Sequence, residues 1–315
     1  MRASPRKREP KERARGTTAL SRQAACPFSA ALGARLDVRG LPSPVDGIAP
    51  ARRGELAHAA LEALWLELGD SAALARLDEA GRQRAIGRAL EHAFQAAERH
   101  LPPGRIRRLE RDWLGAALAR LLAADAERVP FSVAAREEPL TATLAGHPVS
   151  GRLDRLDRLT DGGGTVLIDY KTGRASPRGW SDERLVELQL PLYATTLDPP
   201  PDAVVVARLA PGVRVYAGVA RAAGLLPGVL PPAGDAPAYA ALVGDWRLRL
   251  EGLAREFAAG EGDVAPSGNA CLYCSHLLVC RLPTDPADRS EREGAVTGAD
   301  GEGEGEGEDD GGLDD

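Results

Sequence analysis

The segment GRLDRLDRLTDGGGTVLIDYKTG, residues 151–173, gathers side chains whose types and spacing suit chemistry. Its stretch TVLIDYK, 165–171, reads as a strand, and residues two apart on a strand share a face. Asp169 and Lys171 therefore point one way and Tyr170 the other. The DGGG run at 161–164 is a turn, and a hairpin through it brings Asp154 alongside Asp169. Paired carboxylates are hard oxygen ligands of the kind Mg²⁺ or Mn²⁺ takes. A metal there would polarise a phosphate and lower the pKa of a bound water. The ammonium would orient that water or offset developing charge. Lys171 is one of only three lysines among 40 basic residues, with Lys7 and Lys11. A composition that favours Arg explains the scarcity. Under that bias, a retained Lys marks a place that suits a compact charge with a movable pKa.

The same segment has a plainer reading. Asp154, Arg155, Asp157 and Arg158 alternate in sign, as a surface ion-pair ladder does, and for Asp157 that is the favoured expectation. Asp169 follows Val166, Leu167 and Ile168, so its strand reads as buried.

The elements that must position these residues are legible from periodicity. Gly54–Leu68, Ser71–His100 and Arg105–Arg128 carry helical apolar spacing, punctuated by Pro102, Pro103 and Gly104. Near Pro130 the period changes to two. Strands are expected at Phe131–Arg136, Leu140–Leu144, Val149–Leu159, Thr165–Lys171, Ala203–Leu209 and Val213–Val219. Helices are expected at Asp182–Thr196 and Ala236–Ala259. That order implies an α/β or α+β body with a mixed sheet.

Four cysteines stand at Cys26, Cys271, Cys274 and Cys280. A disulfide framework is not expected in a chain that reads as cytoplasmic. Three close thiolates and one distant partner suit a four-coordinate soft centre. Spacing alone leaves zinc and iron–sulfur equally open. His276 lies between two of the cysteines and is not taken as a ligand.

Charge is segregated along the 315 residues. The net charge of −6 combines a basic arm at 1–17, net +5, with an acidic tail at 284–315, net −11, around a neutral body at 18–283. Both ends read as disordered. The acidic pI is thus no argument against an anionic partner, and the tail is expected to compete with one for the same groove. No phosphate-binding G-x-x-x-x-G-K-[ST] loop is present. There is no apolar run of membrane-spanning length, nor an apolar segment behind the basic N-terminus, so a cytoplasmic address is expected.

The runs G-R-L-D-R-L-D, I-D-Y-K-T-G and Q-L-P-L-Y together resemble the core of PD-(D/E)XK nucleases of the RecB/AddB type, the probable DNA repair protein group. The resemblance spans roughly residues 20–283. It implies a restriction-endonuclease-like mixed sheet flanked by helices, with a helical insertion at 71–128. It implies a metal site of Asp154, Asp169, the Tyr170 carbonyl and His58, the last in a G-x-x-x-H setting from Gly54. Lys171 would be the catalytic lysine, and Glu137, rather than Glu138, the acidic residue before the first Asp. Gln189 and Tyr193, at i and i+4, would face the active site or the DNA backbone. His92, His100 and His147 have no such context.

The resemblance also implies a 4Fe–4S clasp on the four cysteines, DNA as substrate (single strands or ends), exonuclease rather than endonuclease action, and a helicase subunit as possible partner. Arg152, Arg155, Arg158, Arg174, Arg178 and Arg184 surround the motifs as candidate phosphate contacts, although each taken singly reads more readily as a solvated surface arginine. Arg152 and Arg174, with Gln189 and Tyr193, are the candidates for DNA contact. Two rival readings are a CRISPR-associated RecB-like nuclease and a noncatalytic DNA-binding scaffold of a helicase complex.

Overall fold

The computed structural model describes residues 16–40, 45, 47–160, 162–173, 175–232, 236–272 and 274–280. Its centre is a five-stranded sheet, β1 (Phe131–Leu144), β2 (His147–Leu159), β3 (Thr165–Lys171), β4 (Ala203–Arg208) and β5 (Tyr216–Ala220), in sequential order. Only the β3–β4 pair is parallel. Those two strands are buried along most of their length because helices cover both faces.

Two of the expected strands are one. Phe131–Arg136 and Leu140–Leu144 join into β1, because Glu138 and Pro139 pair with Leu153 and Arg152 rather than turning away. Proline is tolerated there because β1 is an edge strand.

Against one face pack α3 (Pro50–Leu68), α5 (Glu79–Ala96) and α6 (Arg105–Ala126), burying Val166, Ile168, Val205 and Ala207. Against the other pack α1 (Thr17–Ala25), α7 (Gln189–Thr196) and α8 (Ala236–Ala259), burying Leu167, Val204 and Val206. The result is a three-layer α/β/α body, as the mixed-sheet expectation required. Short α2 (Pro27–Ala30) and α9 (Leu277–Cys280) lie beside the cysteines, and α4 (Ser71–Ala75) follows α3.

Three boundaries differ from the periodicity. The 71–100 helix begins where expected, with Asp70 accepting from Ala73 N (2.6 Å), but divides because Asp78 caps a second start by accepting from Gly81 N (2.7 Å). The helix expected from Asp182 begins only at Gln189. Pro191 has no N–H for the Glu187 carbonyl, so it is accommodated in a first turn and not in a helix interior. The strand expected at 213–219 is displaced to Tyr216–Ala220.

The ion-pair ladder is overturned. Asp154, Arg155 and Asp157 are all buried, and only Arg158 is exposed. Arg155 donates to both oxygens of Asp157 (2.7 and 2.8 Å) and to Asp125 of α6 (3.0 Å). Arg128 pairs with the same two carboxylates at 2.7 and 2.8 Å. The Tyr216 hydroxyl donates to Asp125 at 2.5 Å. Two cations and two anions are thus balanced beneath the sheet, with Arg155 over the Trp65 ring and Arg128 over Phe131.

Of the expected basic arm, Gly16 bridges to Ser150 and Thr17 opens α1. The arm at 1–15 and the acidic tail lie outside the described residues. No helix among the described residues is long and apolar enough to cross a membrane.

Candidate active site

Pairing between β2 and β3 stops at Arg155↔Ile168, although β3 continues to Lys171 and β2 extends back to His147. Side chains occupy the space where the two strands part. The Asp154 carboxylate accepts the Tyr170 N–H at 2.7 Å, standing in for the missing ladder bond. From α7, the Tyr193 hydroxyl accepts the Arg152 N–H at 3.0 Å.

His58 reaches this opening from α3. Its Nε2 lies 3.2 Å from the Tyr170 carbonyl, which can only accept, so Nε2 carries a hydrogen. Its Nδ1 lies 2.9 Å from Glu137 and 3.5 Å from Asp154. Glu137 sits in β1 between the pairs Arg136↔Arg155 and Glu138↔Leu153. Its φ of 43° is left-handed, which a non-glycine residue adopts only when its surroundings hold it there. Glu138 is exposed and takes no part. Among the described residues, the one group of at least three histidine, cysteine or acidic residues whose ligand atoms lie within 4.8 Å of one another is His58, Glu137 and Asp154.

Asp169 stands next to this trio and is 2% exposed. Its Oδ2 pairs with the Lys171 ammonium at 2.7 Å, while its buried Oδ1 has no hydrogen-bond partner. Lys171 Nζ also donates to the Gln189 side chain at 3.2 Å.

The electrostatics of the site follows from its crowded carboxylates. Burial opposes a charged His58, but Glu137, Asp154 and Asp169 outweigh it and push its pKa up to about 9. Burial and the neighbouring Asp169 carboxylate raise Asp154 to about 7, against the opposing pull of His58. Protons are thus retained where carboxylates crowd. Burial disfavours charge on Lys171, yet Asp169 and Asp154 raise its pKa, so it stays an ammonium. A divalent cation fits this donor set: one imidazole, clustered carboxylate oxygens, a buried oxygen without a hydrogen-bond partner and a nearby carbonyl.

A model of the PD-(D/E)XK nuclease superfamily matches residues 17–281. The chain belongs to this superfamily. No curated protein matches it. The mixed sheet with flanking helices is the fold of a PD-(D/E)XK nuclease domain.

Within this nuclease domain the expected residues do not all converge. His58, Glu137, Asp154, Asp169, Tyr170, Lys171, Gln189 and Tyr193 surround the β2–β3 opening. Arg152 is exposed at its rim, 3.7 Å from Glu137. Arg174 lies outside the described residues. Arg155 and Arg184 do not face a phosphate as expected: the first is buried, and the second bonds to Glu256 and the carbonyls of Gln23 and Ala24. The support beneath the site went unread in the sequence. Its signal was Asp125 on the apolar helical stripe of Leu118, Leu121 and Leu122.

The four cysteines line one cavity of about 250 Å³ between the start and the end of the domain. Backbone bonds from Phe28 N to Asp263 O (3.0 Å) and from Ser267 N to Ala25 O (2.8 Å) close it. His276 spends both ring nitrogens on protein groups, Ser29 Oγ at 3.1 Å and the Val38 carbonyl at 3.3 Å.

Proposed function

We propose that the chain is a Mg²⁺- or Mn²⁺-dependent deoxyribonuclease. It hydrolyses phosphodiester bonds in single-stranded DNA or at DNA ends, acts as an exonuclease, and serves DNA repair or recombination in the cytoplasm beside a helicase subunit. The observation that carries this reading is the trio of His58, Glu137 and Asp154 set beside Asp169 and the Lys171 ammonium. These residues and the Tyr170 carbonyl would hold the metal, which supplies Lewis acidity toward a phosphate oxygen and acidifies a bound water.

The chain's own groups do the rest. Asp169 and Gln189 fix the Lys171 ammonium at 2.7 and 3.2 Å. From there it orients an attacking water and offsets negative charge gathering on the phosphate. Tyr193 keeps the β2 edge in place, and exposed Arg152 meets the DNA backbone at the rim. The test is cleavage of single- and double-stranded DNA labelled at the 5′ or the 3′ end, with a circular single strand as control. The reading expects stepwise loss of label from linear single strands, dependent on Mg²⁺ or Mn²⁺. Cutting of the circle would reject the exonuclease assignment, and no cutting of any substrate would reject the nuclease.

A 4Fe–4S cluster is proposed for the cysteine cavity. The support for this reading is that one cavity brings together the three close cysteines and the distant Cys26. Anaerobic purification with iron and zinc analysis decides: about four irons per chain and a broad visible absorption are expected, and stoichiometric zinc would overturn the assignment.

A further inference from the structure

The glycine that opens the GRLDRLD segment is not used by the site as described so far. Gly151 lies on β2 beside Arg152, whose N–H faces the gap left where β2 and β3 part. The Tyr193 ring lies over its Cα. A Cβ at 151 would stand 2.4 Å from the Tyr193 hydroxyl oxygen, 2.5 Å from Cε1 and 2.7 Å from Cζ. Tyr193 is 2% exposed and packed among core residues, so its ring has nowhere to swing. Any other side chain at 151 must displace either the ring or the strand. No positive φ makes glycine necessary here; the demand comes from the tyrosine alone.

The consequence travels along one helical turn. Tyr193 and Gln189 stand at i and i+4 on α7, and Gln189 accepts the hydrogen bond from Lys171. Displacing Tyr193 gives up the bond to Arg152 N–H and moves the start of α7, and with it the partner that steadies the lysine. We infer that Gly151 is a positioning residue of the active site: its missing side chain admits Tyr193 into the β2–β3 gap and so sets Gln189 against Lys171. This rests on the nuclease reading above.

A double-mutant cycle tests it. Cleavage rates are measured for the wild type, Gly151→Ala, Tyr193→Ala and the pair, with unfolding temperature and Mn²⁺-induced stabilisation as parallel readouts. Gly151→Ala is expected to lower kcat by about 10- to 100-fold, the scale of an ångström-sized misplacement, while the stabilisation by Mn²⁺ persists. In the Tyr193→Ala background the same change should be silent. Multiplying effects would overturn the inference. If Gly151→Ala does not fold alone, the pair must fold and cut like Tyr193→Ala; a pair that also fails to fold refutes the proposal. If the wild type itself does not cut, the nuclease reading fails instead, and the cycle in unfolding temperature still tests the contact.

Discussion

Lys171 shows how a single residue is committed to a task. An ammonium is retained at a half-buried position because Asp169 and Asp154 raise its pKa against the cost of burial. Held 2.7 Å from Asp169, it is placed for electrostatic work. Lys171→Met should lower cleavage by about 10²- to 10³-fold, the scale of losing one preorganised charge partner, with DNA affinity little changed in a filter-binding assay. Retained cleavage would remove the lysine from the mechanism. His58 and the carboxylates carry a different expectation. Mn²⁺ at about 100 times its Kd should stabilise the wild type by roughly 2.7 kcal/mol, and the thermal shift should vanish in Asp154→Ala. A persistent shift in that variant would place the metal elsewhere.

At the scale of elements, the pair β2–β3 does two jobs with its two faces. Asp154 and Asp169 serve the opening, while Arg155 and Asp157, one residue out of phase with Asp154, anchor the strand to α6 through Asp125. Removing one member leaves an uncompensated buried charge, so Asp125→Ala should cost about 3–5 kcal/mol in chemical denaturation. Burial alone would raise the Asp125 pKa, but Arg155 and Arg128 hold it below its ordinary value. Its stabilisation is therefore present above the unfolded carboxylate pKa, near 3.9, and is lost as pH falls through the lower folded value. Asp125→Asn should flatten the acid limb of the stability–pH curve; an unchanged limb would contradict this.

The same elements show what sequence could tell. Period-two alternation and the turn at 161–164 made the hairpin legible, and the spacing of Asp169 and Lys171 made their shared face legible. The signs of Arg155 and Asp157 suggested a surface, because charge alternation on one strand looks the same whether its partners are water or buried counter-charges from a distant helix. Apolar spacing continues upstream of Pro191, so periodicity alone sets the start of α7 earlier than the proline allows. Tyr193 against Gly151 is a tertiary fit with no local signature.

On the scale of the whole molecule, the first and last described segments are tied together around the cysteine cavity, by Phe28 N to Asp263 O, by Ser267 N to Ala25 O and by His276 to Ser29 and Val38. The cluster proposed for that cavity would close a very long loop and add its binding free energy to folding. The ends of the sequence, net +5 over 1–17 and net −11 over 284–315, flank a neutral body. Deleting 290–315 should tighten binding of single-stranded DNA at low salt, with the difference fading as salt rises. Equal affinity at low salt would show that the acidic run does not compete for the groove.

The measurement closest to the central claim is cleavage of end-labelled single-stranded DNA by wild type and Asp169→Ala, each with Mg²⁺, with Mn²⁺ and with chelator. The account predicts cutting by the wild type with either metal, none with chelator, and none by Asp169→Ala although it still binds DNA. Metal-independent cutting, or full activity without the Asp169 carboxylate, would contradict it.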